Sequence, residues 1–349
     1  EIEIFSNQSD VKIISFDYAS HIKLAEKNIQ HEISEIYLTQ DTKKLQKQCY
    51  EFLNWHNLDV IKKNTNFLNI NISRLYNDQL IHPVIKILKK FSEIKVIIKQ
   101  FPNLKYFASG NLFLIGKLLI KSINEISNSG KEELYFDKIE IGTNIGGKNI
   151  KISVPNSSYK KIKNVSEKLL ELVLQNKNSD SSKKNTLLVE LNTKKYKNLF
   201  LDSKNYNKNI VYYGRRRPGV WDLESFKIIK NSQCKIITPN IMNNNILKNH
   251  KKNILEIKEK YLEILNSNEE LNKIFSIDNI SIISVISPII KLLIIDRLDE
   301  IVFEILLAKQ MFECVLIDSV IVLSEIGMTE QIIIQLANQK KIPILHLQE

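Results

Sequence analysis

Residues Cys314–Leu323 read CVLIDSVIVL and are followed at once by SEIGMTEQ, residues Ser324–Gln331. The first stretch is a continuous apolar run rich in β-branched residues, which is typical of a strand buried on both faces of a sheet. The second opens a helical pattern, so we interpret the pair as a strand, a loop and a helix. Because ligands of parallel α/β sheets bind beyond the carboxyl ends of the strands, function is sought first in the residues that follow each strand.

The carboxyl-terminal half repeats this alternation. Four further apolar runs predict strands: Thr186–Leu191, Asn209–Tyr213, Lys235–Thr238 and Ile342–Leu347. Helical patterns lie between them: Trp221–Asn231, Met242–Asn266, Leu292–Phe312 and Thr329–Lys340. Alternating strands and helices favour a parallel sheet covered on both faces, so residues 186–349 are predicted to form a Rossmann-like α/β domain.

The amino-terminal half, residues 1–180, has a different pattern and is predicted to be mainly helical. The expected elements are a strand at Val11–Phe16 and helices at His21–Gln30, Asp41–His56, Asp78–Gln100, Asn111–Ile126 and Ser157–Leu174. Between 133 and 154 the period changes to two around Gly146-Gly147, which indicates a β-hairpin rather than a phosphate-binding loop. The polar stretch Gln175–Asn185 is the expected linker between two domains.

Length and composition describe an ordinary globular chain. The 349 residues suggest about two domains, and 43% hydrophobic with 26% charged residues is normal globular usage. No stretch approaches a membrane span or a signal peptide, so a cytoplasmic protein is expected. Because position 1 is Glu and the chain stops directly after a strand-like run, we expect a segment of a longer polypeptide.

The net charge of +11 invites a nucleic-acid interpretation, but the type of cation argues against it. Of the 50 basic residues 45 are Lys, they are interspersed with acids, and Ile and Asn are abundant, as in proteins from AT-rich genomes. We therefore expect no nucleic-acid partner. Attraction to anionic lipid headgroups, and with it peripheral association with the inner face of a membrane, stays open.

Cysteine and histidine give no sign of a metal site. Cys49, Cys234 and Cys314 are far apart and lack C-x-x-C spacing, and the six His show no H-x-x-x-H pattern. The cysteines are interpreted as core residues in a reducing compartment. We expect no metal and no cofactor.

The first loop with unusual chemistry follows the predicted strand at Asn209–Tyr213. It holds three of the chain's five arginines in a row, Arg215, Arg216 and Arg217, with Trp221 close behind. Guanidinium groups bind phosphate or carboxylate oxygens in pairs, and an aromatic ring can cover a sugar face. The alternative is a basic turn whose arginines pair with neighbouring acids, since consecutive side chains cannot all face one pocket.

The second loop follows Leu323. Glu325 lies at the strand's carboxyl end, where a carboxylate can accept a proton or bind a sugar hydroxyl. Glu330 lies in the first helical turn, where capping explains an acid equally well. Thr329 or Ser324 is the expected helix cap, and Gly327 is expected where the backbone passes close to a ligand or a strand.

Together with Lys341–Gln348, these two loops resemble a family of bacterial and archaeal surface-polysaccharide proteins with a GT-B glycosyltransferase layout. The family is related in outline to capsule, polysialic acid and teichoic-acid polymer transferases. The matching segments are Arg216–Trp221 and Glu325–Gln331, followed by an Ile-Pro strand; the family's Gln-His-Gly turn reads Gln348-Glu349 here.

The resemblance implies an acceptor-side GT-B domain, inactive without a donor-binding domain beyond the chain. The implied reaction transfers a sugar from a nucleotide-activated donor to a surface polysaccharide or a lipid-linked glycan. Glu325 is the expected catalytic carboxylate and Glu330 the second choice. The expected substrate-binding residues are Arg215, Arg216, Arg217, Trp221, Gly327, Thr329 and Gln348. A nucleotide-sugar epimerase and a non-catalytic glycan-binding module are the alternatives.

Overall fold

The structure is a computed structural model that describes residues 11–38, 42–126, 138–145, 148–155, 158–159, 163, 167, 184–205, 209–216, 218–237 and 246–347. It is an α/β protein with a five-stranded parallel sheet. The helices are α1 (Tyr18–Glu26), α2 (Thr42–Leu53), α3 (Asp59–Asn64), α4 (Asn77–Gln100), α5 (Gly110–Leu119), α6 (Lys197–Leu201), α7 (Leu223–Asn231), α8 (Ile246–Ser267), α9 (Glu269–Ile274), α10 (Ile283–Ile290), α11 (Leu298–Cys314) and α12 (Met328–Gln339).

Short strands form two-stranded sheets outside the main one. They are β1 (Ile14–Ser15) with β2 (Glu32–Ile33), β3 (Asn66–Phe67) with β4 (Ile70–Asn71), β5 (Tyr106–Ala108) with β6 (Ile123–Glu125), β7 (Lys138–Ile145) with β8 (Lys148–Pro155), and β12 (Ser276–Ile277) with β13 (Ile280–Ser281). The β7–β8 pair is antiparallel, which confirms the predicted hairpin, although Gly146 and Gly147 lie outside the described residues.

The main sheet contains all five strands expected in the carboxyl-terminal half. They are β9 (Asn185–Val189), β10 (Asn209–Tyr213), β11 (Cys234–Ile236), β14 (Ile317–Val322) and β15 (Ile344–His346), in the order β11-β10-β9-β14-β15. Every pair is parallel. Apolar side chains of β9, β10, α6 and α7 form a core on this sheet, which includes Leu188, Phe200, Tyr212 and Ile229. The predicted parallel α/β sheet is therefore confirmed.

Several predicted helices have other bounds in the structure; the helix expected at His21–Gln30, for example, is Tyr18–Glu26. The helix expected to continue to Ile126 ends at Leu119, and β6 follows it. The Ile123 side chain of β6 packs against Gly116, where a Cβ atom would lie 2.4 Å from it. The helix expected at Leu292–Phe312 is interrupted: a π-helical turn, Lys291–Ile295, separates α10 from α11. Of the helix expected at Ser157–Leu174, the structure describes only four helical residues, Ser158, Tyr159, Lys163 and Glu167.

The chain divides into two compact units that exchange segments. The first unit comprises Glu1–Asn66, Tyr76–Lys131 and Glu256–Arg297, and the second Phe67–Leu75, Glu132–Leu255 and Leu298–Glu349. The sequence suggested one boundary near residue 180, whereas the structure places Phe67–Leu75 in the sheet unit. In the helical unit, α4 buries Leu88 and Phe91, and the Phe52 and Phe275 rings meet at 5.6 Å.

A short helix followed by a tight hairpin occurs twice. Helix α3 leads into β3 and β4, and α9 leads into β12 and β13, with each element beginning 210 residues after its counterpart. Both hairpins turn through two consecutive residues with positive φ, Leu68-Asn69 and Asp278-Asn279. A two-residue turn with positive φ at both positions matches the twist of the strands it joins. The first copy supplies the segment Phe67–Leu75 to the sheet unit.

Candidate functional site

The candidate site lies at the carboxyl edge of the parallel sheet. Val189 pairs in register with Tyr213 on one side and Val322 on the other, so Glu190, Gly214 and Leu323 leave the sheet together. Strands β10 and β11 lie on one side of β9, and the next strands of the sheet along the chain, β14 and β15, lie on its other side, so the strand order reverses between β9 and β14. Such a switch point opens a crevice beyond the strand ends, where ligands of α/β sheets bind. Both loops selected from the sequence start here.

The backbone of the loop after β10 is held by side chains from elsewhere in the sheet unit. Glu190 Oε1 accepts hydrogen bonds from the N–H groups of Arg215, at 2.6 Å, and Arg216, at 2.7 Å. Lys163 Nζ donates to the Gly214 carbonyl at 2.6 Å, and the Tyr159 hydroxyl donates to the Arg216 carbonyl at 2.9 Å. The backbone of these three residues is therefore fixed before any ligand arrives.

The side chains that hold this loop are buried, so moving them would cost free energy. Glu190 is 2% exposed and has a left-handed backbone, φ 55°, which a non-glycine residue adopts only at a cost. Lys163 also pairs with Glu167 at 3.0 Å. Burial lowers the pKa of Lys163 and raises the pKa of Glu167, although their pairing opposes both shifts.

Arg215 is bound inside the protein. Its Nε and Nη2 donate to the two carboxylate oxygens of Glu304 on α11, at 2.7 and 2.8 Å. The Arg215 side chain is only 11% exposed and that of Glu304 5%. Burial disfavours the charge of Arg215, but the hydrogen bonds to Glu304 and the negative charge of Glu304 and its neighbours together outweigh this and raise the pKa of Arg215. The guanidinium thus serves the packing of α11 against the loop, which is the alternative that the sequence left open.

Arg216 faces the other way. Its side chain is 52% exposed, and Nη2 donates to Glu330 Oε1 at 3.0 Å. The Glu330 carboxylate, 2% exposed, lies at the first turn of α12, where the helix dipole favours negative charge. Glu330 therefore orients an exposed guanidinium across the switch point.

Close packing explains Gly327. A Cβ atom there would lie 1.9 Å from Glu330 Oε2, so only glycine lets this carboxylate fold back over the start of the helix. Gly327 is itself the N-cap, which makes the expected cap at Thr329 or Ser324 wrong. Thr329 is buried at 7% exposure, and Gln331 Nε2 donates to the Glu325 carbonyl at 2.6 Å.

Glu325 is accessible at the same edge. Its side chain is 53% exposed, with Oε1 3.6 Å from His346 Nε2 and Oε2 3.9 Å from Arg74 Nη2. His346 ends β15, and its register partner Val322 ends β14. Pairs of this length between half-exposed groups stabilise a fold little, so the carboxylate remains available to a ligand.

Trp221 lies at the far end of the loop after β10. It is 48% exposed, and its backbone N–H donates to Ser225 Oγ at 2.8 Å, beside the capping box of Asp222 and Ser225 that begins α7. An exposed ring at this edge can cover an apolar sugar face. Two residues named from the sequence, Arg217 and Gln348, lie outside the described residues.

The sequence analysis missed Tyr159 and Lys163, which hold the loop after β10, and also Arg74, Glu190, Glu304 and His346. Glu190 and His346 are the last-but-one residues of the predicted strands Thr186–Leu191 and Ile342–Leu347, and this position near a strand end was their signal. Glu304 is one of several acids on a helix, and Arg74 comes from a hairpin more than 200 residues away, so neither carried a signal.

Within the described ranges, no cluster of three or more His, Cys, Asp or Glu side chains is placed to hold a metal ion. None of the described helices combines the length and apolar character needed to cross a membrane. No protein-family model matches the chain, and the searches found no curated protein and no solved structure similar to it.

Proposed function

We propose that this protein is a glycosyltransferase that moves a sugar from a nucleotide-activated donor to a surface polysaccharide or a lipid-linked glycan. The sheet unit would be a Rossmann-like, acceptor-side domain of GT-B type. A lipid-linked acceptor would bring the enzyme to the inner face of the cell membrane. The proposal rests on the site described above together with the resemblance of its two loops to surface-polysaccharide transferases.

One observation carries the proposal: an exposed carboxylate and an exposed guanidinium flank the switch point of a parallel sheet. The Glu325 side chain is 53% exposed and that of Arg216 52%. The Glu325 carbonyl accepts a hydrogen bond from Gln331 in α12, and the Arg216 guanidinium is hydrogen-bonded to Glu330 in the first turn of the same helix. Sugar transfer needs a base for the attacking hydroxyl and positive charge for the departing phosphate. These two side chains match the two requirements.

The geometry suggests a distinct part for each residue. Glu325 would accept the proton of the acceptor hydroxyl. Arg216 would bind the anionic part of the donor or acceptor, with Glu330 as the residue that positions it, since Glu330 is buried. Trp221 would cover a sugar ring, and Arg215 would hold the loop through Glu304.

The test is an assay of the full-length protein with labelled nucleotide sugars, with and without a glycan acceptor. Replacing Glu325 by Ala is expected to lower kcat by about a hundredfold or more, as loss of a general base does. Glu313→Ala is the matched control, because Glu313 is an equally exposed acid of the same unit, paired only loosely with Lys309 at 3.9 Å. Unchanged turnover of Glu325→Ala would remove it from this role.

The same assay separates the alternatives. Conversion of the nucleotide sugar without an acceptor would indicate an epimerase. Binding of an oligosaccharide without consumption of any nucleotide sugar would indicate a glycan-binding module. Either result would contradict the proposed transferase activity.

A further inference from the structure

Arg74 reaches the candidate site from a distant part of the sequence. We propose that Arg74 and Arg216 together bind a phosphoryl group, so that the ligand at this edge is a phosphate ester or diphosphate. This inference rests on the proposed function, because it names the ligand class of the same site.

Arg74 lies in a 3₁₀ turn, Ser73–Tyr76, directly after the β3–β4 hairpin, and this hairpin is hydrogen-bonded to α12. The N–H of Asn71 donates a hydrogen bond to Gln335 Oε1 at 2.8 Å, and Gln339 Nε2 donates one to the carbonyl of Asn69 at 3.1 Å. Phe67 adds a contact between its ring and that of His250, at 5.3 Å. The helix that begins at the site thus also fixes the segment that supplies the second arginine.

Arg74 is exposed and loosely held. Its backbone N–H donates to Asn71 Oδ1 at 3.2 Å, which shapes the turn after β4, while its side chain is 44% exposed. The contact with Glu325, 3.9 Å from Nη2 to Oε2, is longer than a hydrogen bond. A group that offers two oxygens at hydrogen-bond distance would therefore compete well for this guanidinium.

Both guanidinium groups contact one short segment. Arg74 lies beside Glu325 and Arg216 beside Glu330, five residues further along. Glu330 is buried and keeps Arg216 oriented, whereas the half-exposed Glu325 can turn aside when a phosphoryl group enters. The two cations then face the negatively charged oxygens of the phosphoryl group.

The choice of cation supports this assignment. The chain uses Lys for 45 of its 50 basic residues, yet two of its four described arginines, Arg74 and Arg216, expose their guanidinium groups at this edge, and a third, Arg215, is bound to Glu304 behind it. The fourth, Arg297, lies over the ring of Tyr76 in the helical unit. Surface charge alone is satisfied by Lys, whereas planar, paired contacts to phosphate oxygens favour Arg.

The experiment is calorimetric titration of the full-length protein with inorganic pyrophosphate. Arg74→Ala is expected to weaken binding at least tenfold, and Arg74→Lys nearly as much, because an ammonium group cannot make the paired contact. The matched control is Lys309→Ala, a half-exposed cation of the same unit, which should bind like the wild type. Thermal unfolding of each variant shows whether the fold is kept.

Two further titrations distinguish the sources of the phosphoryl group. If Arg74→Ala weakens the binding of UDP alone, the site belongs to a nucleotide donor. If it weakens the binding of a short isoprenyl monophosphate alone, the site belongs to a lipid-linked acceptor. If Arg74→Ala binds pyrophosphate as the wild type does, or if the wild type binds none of the three ligands, the inference is wrong. Binding that depends on Arg74 in a protein that transfers no sugar would keep the inference and refute the proposed transferase.

Discussion

Two neighbouring arginines of the same loop have opposite surroundings. Arg215 is enclosed by Glu304 in a two-hydrogen-bond ion pair, and Arg216 is half exposed at the edge of the sheet. Because Glu190 fixes both backbone N–H groups, the side chains cannot exchange places without breaking the loop. The Arg215 guanidinium therefore stabilises the fold, and the half-exposed Arg216 guanidinium is available to a ligand.

Stability measurements should separate the two arginines. Arg215→Ala leaves Glu304 buried without its partner and should lower the free energy of unfolding by about 3–5 kcal/mol. Arg216→Ala should cost about 1 kcal/mol, since the helix dipole still stabilises Glu330. Urea unfolding followed by circular dichroism measures both. An equal loss in the two variants would show that this division of roles is wrong.

Glu190 should be needed for the loop rather than for chemistry. Glu190→Ala removes the acceptor of two partly buried N–H groups and should lower the free energy of unfolding by about 2–6 kcal/mol, at about 1–3 kcal/mol for each unsatisfied group. Glu190→Gln keeps one acceptor oxygen and should lose less. Urea unfolding compares the two variants, and a Gln variant as unstable as the Ala variant would contradict the hydrogen-bonding role.

At the scale of single elements, the start of α7 shows how charge stabilises a helix end. Asp222 accepts the N–H of Ser225 as the N-cap, and Lys194 Nζ lies 2.5 Å from its carboxylate. The hydrogen bond from Lys194 and then that from the Ser225 backbone lower the pKa of Asp222 from 3.8 to about 2. A lowered pKa contributes stability above the unfolded value of 3.8, and this contribution is lost as the pH falls through 2.

Replacing Asp222 should therefore have an effect that depends on pH. Asp222→Ala should lower the free energy of unfolding by about 1 kcal/mol at pH 7, the usual cost of losing an N-cap. The difference from the wild type should shrink between pH 4 and pH 2, as the wild-type carboxylate is protonated. Asp222→Asn keeps the acceptor and should lie between the two proteins. A difference that stays constant down to pH 2 would exclude the charged cap.

The elements also show what the sequence could predict. The strand at Asn209–Tyr213 was predicted to the residue, and the other four strands of the sheet within a few residues. Short, unbroken apolar runs between helical patterns are typical of strands buried on both faces of a sheet. Strand β6 was missed because it is only three residues long and forms by pairing with β5, a contact that the sequence does not mark. The buried partner of Arg215 could not be predicted, since the pairing with Glu304 is a tertiary contact across 89 residues.

At the scale of the whole molecule, the two units share the chain in several passages. Phe67–Leu75 leaves the helical unit to join the sheet unit, and Glu256–Arg297 does the reverse. A linear reading of composition could not find this exchange, because neither passage is marked by a linker. The exchange is also what brings Arg74 to the sheet edge.

The cysteines report on the integrity of both units. Cys49 in the helical unit and Cys234 in the sheet unit are buried, whereas Cys314 is exposed. Burial raises the pKa of the Cys49 thiol to about 11, which removes the reactive thiolate at neutral pH. Iodoacetamide should therefore modify one thiol in the folded protein and three in denaturant. Mass spectrometry counts them, and rapid modification of Cys49 or Cys234 would contradict the packing of that unit.

The most direct test of the site is a crystal structure of the protein soaked with inorganic pyrophosphate, the diphosphate common to both possible sources of the phosphoryl group. The diphosphate is predicted to bind beyond the carboxyl ends of β9 and β14, within hydrogen-bond distance of the Arg216 guanidinium and close to Glu325. A diphosphate bound elsewhere, with this edge empty at saturating ligand, would contradict the assignment.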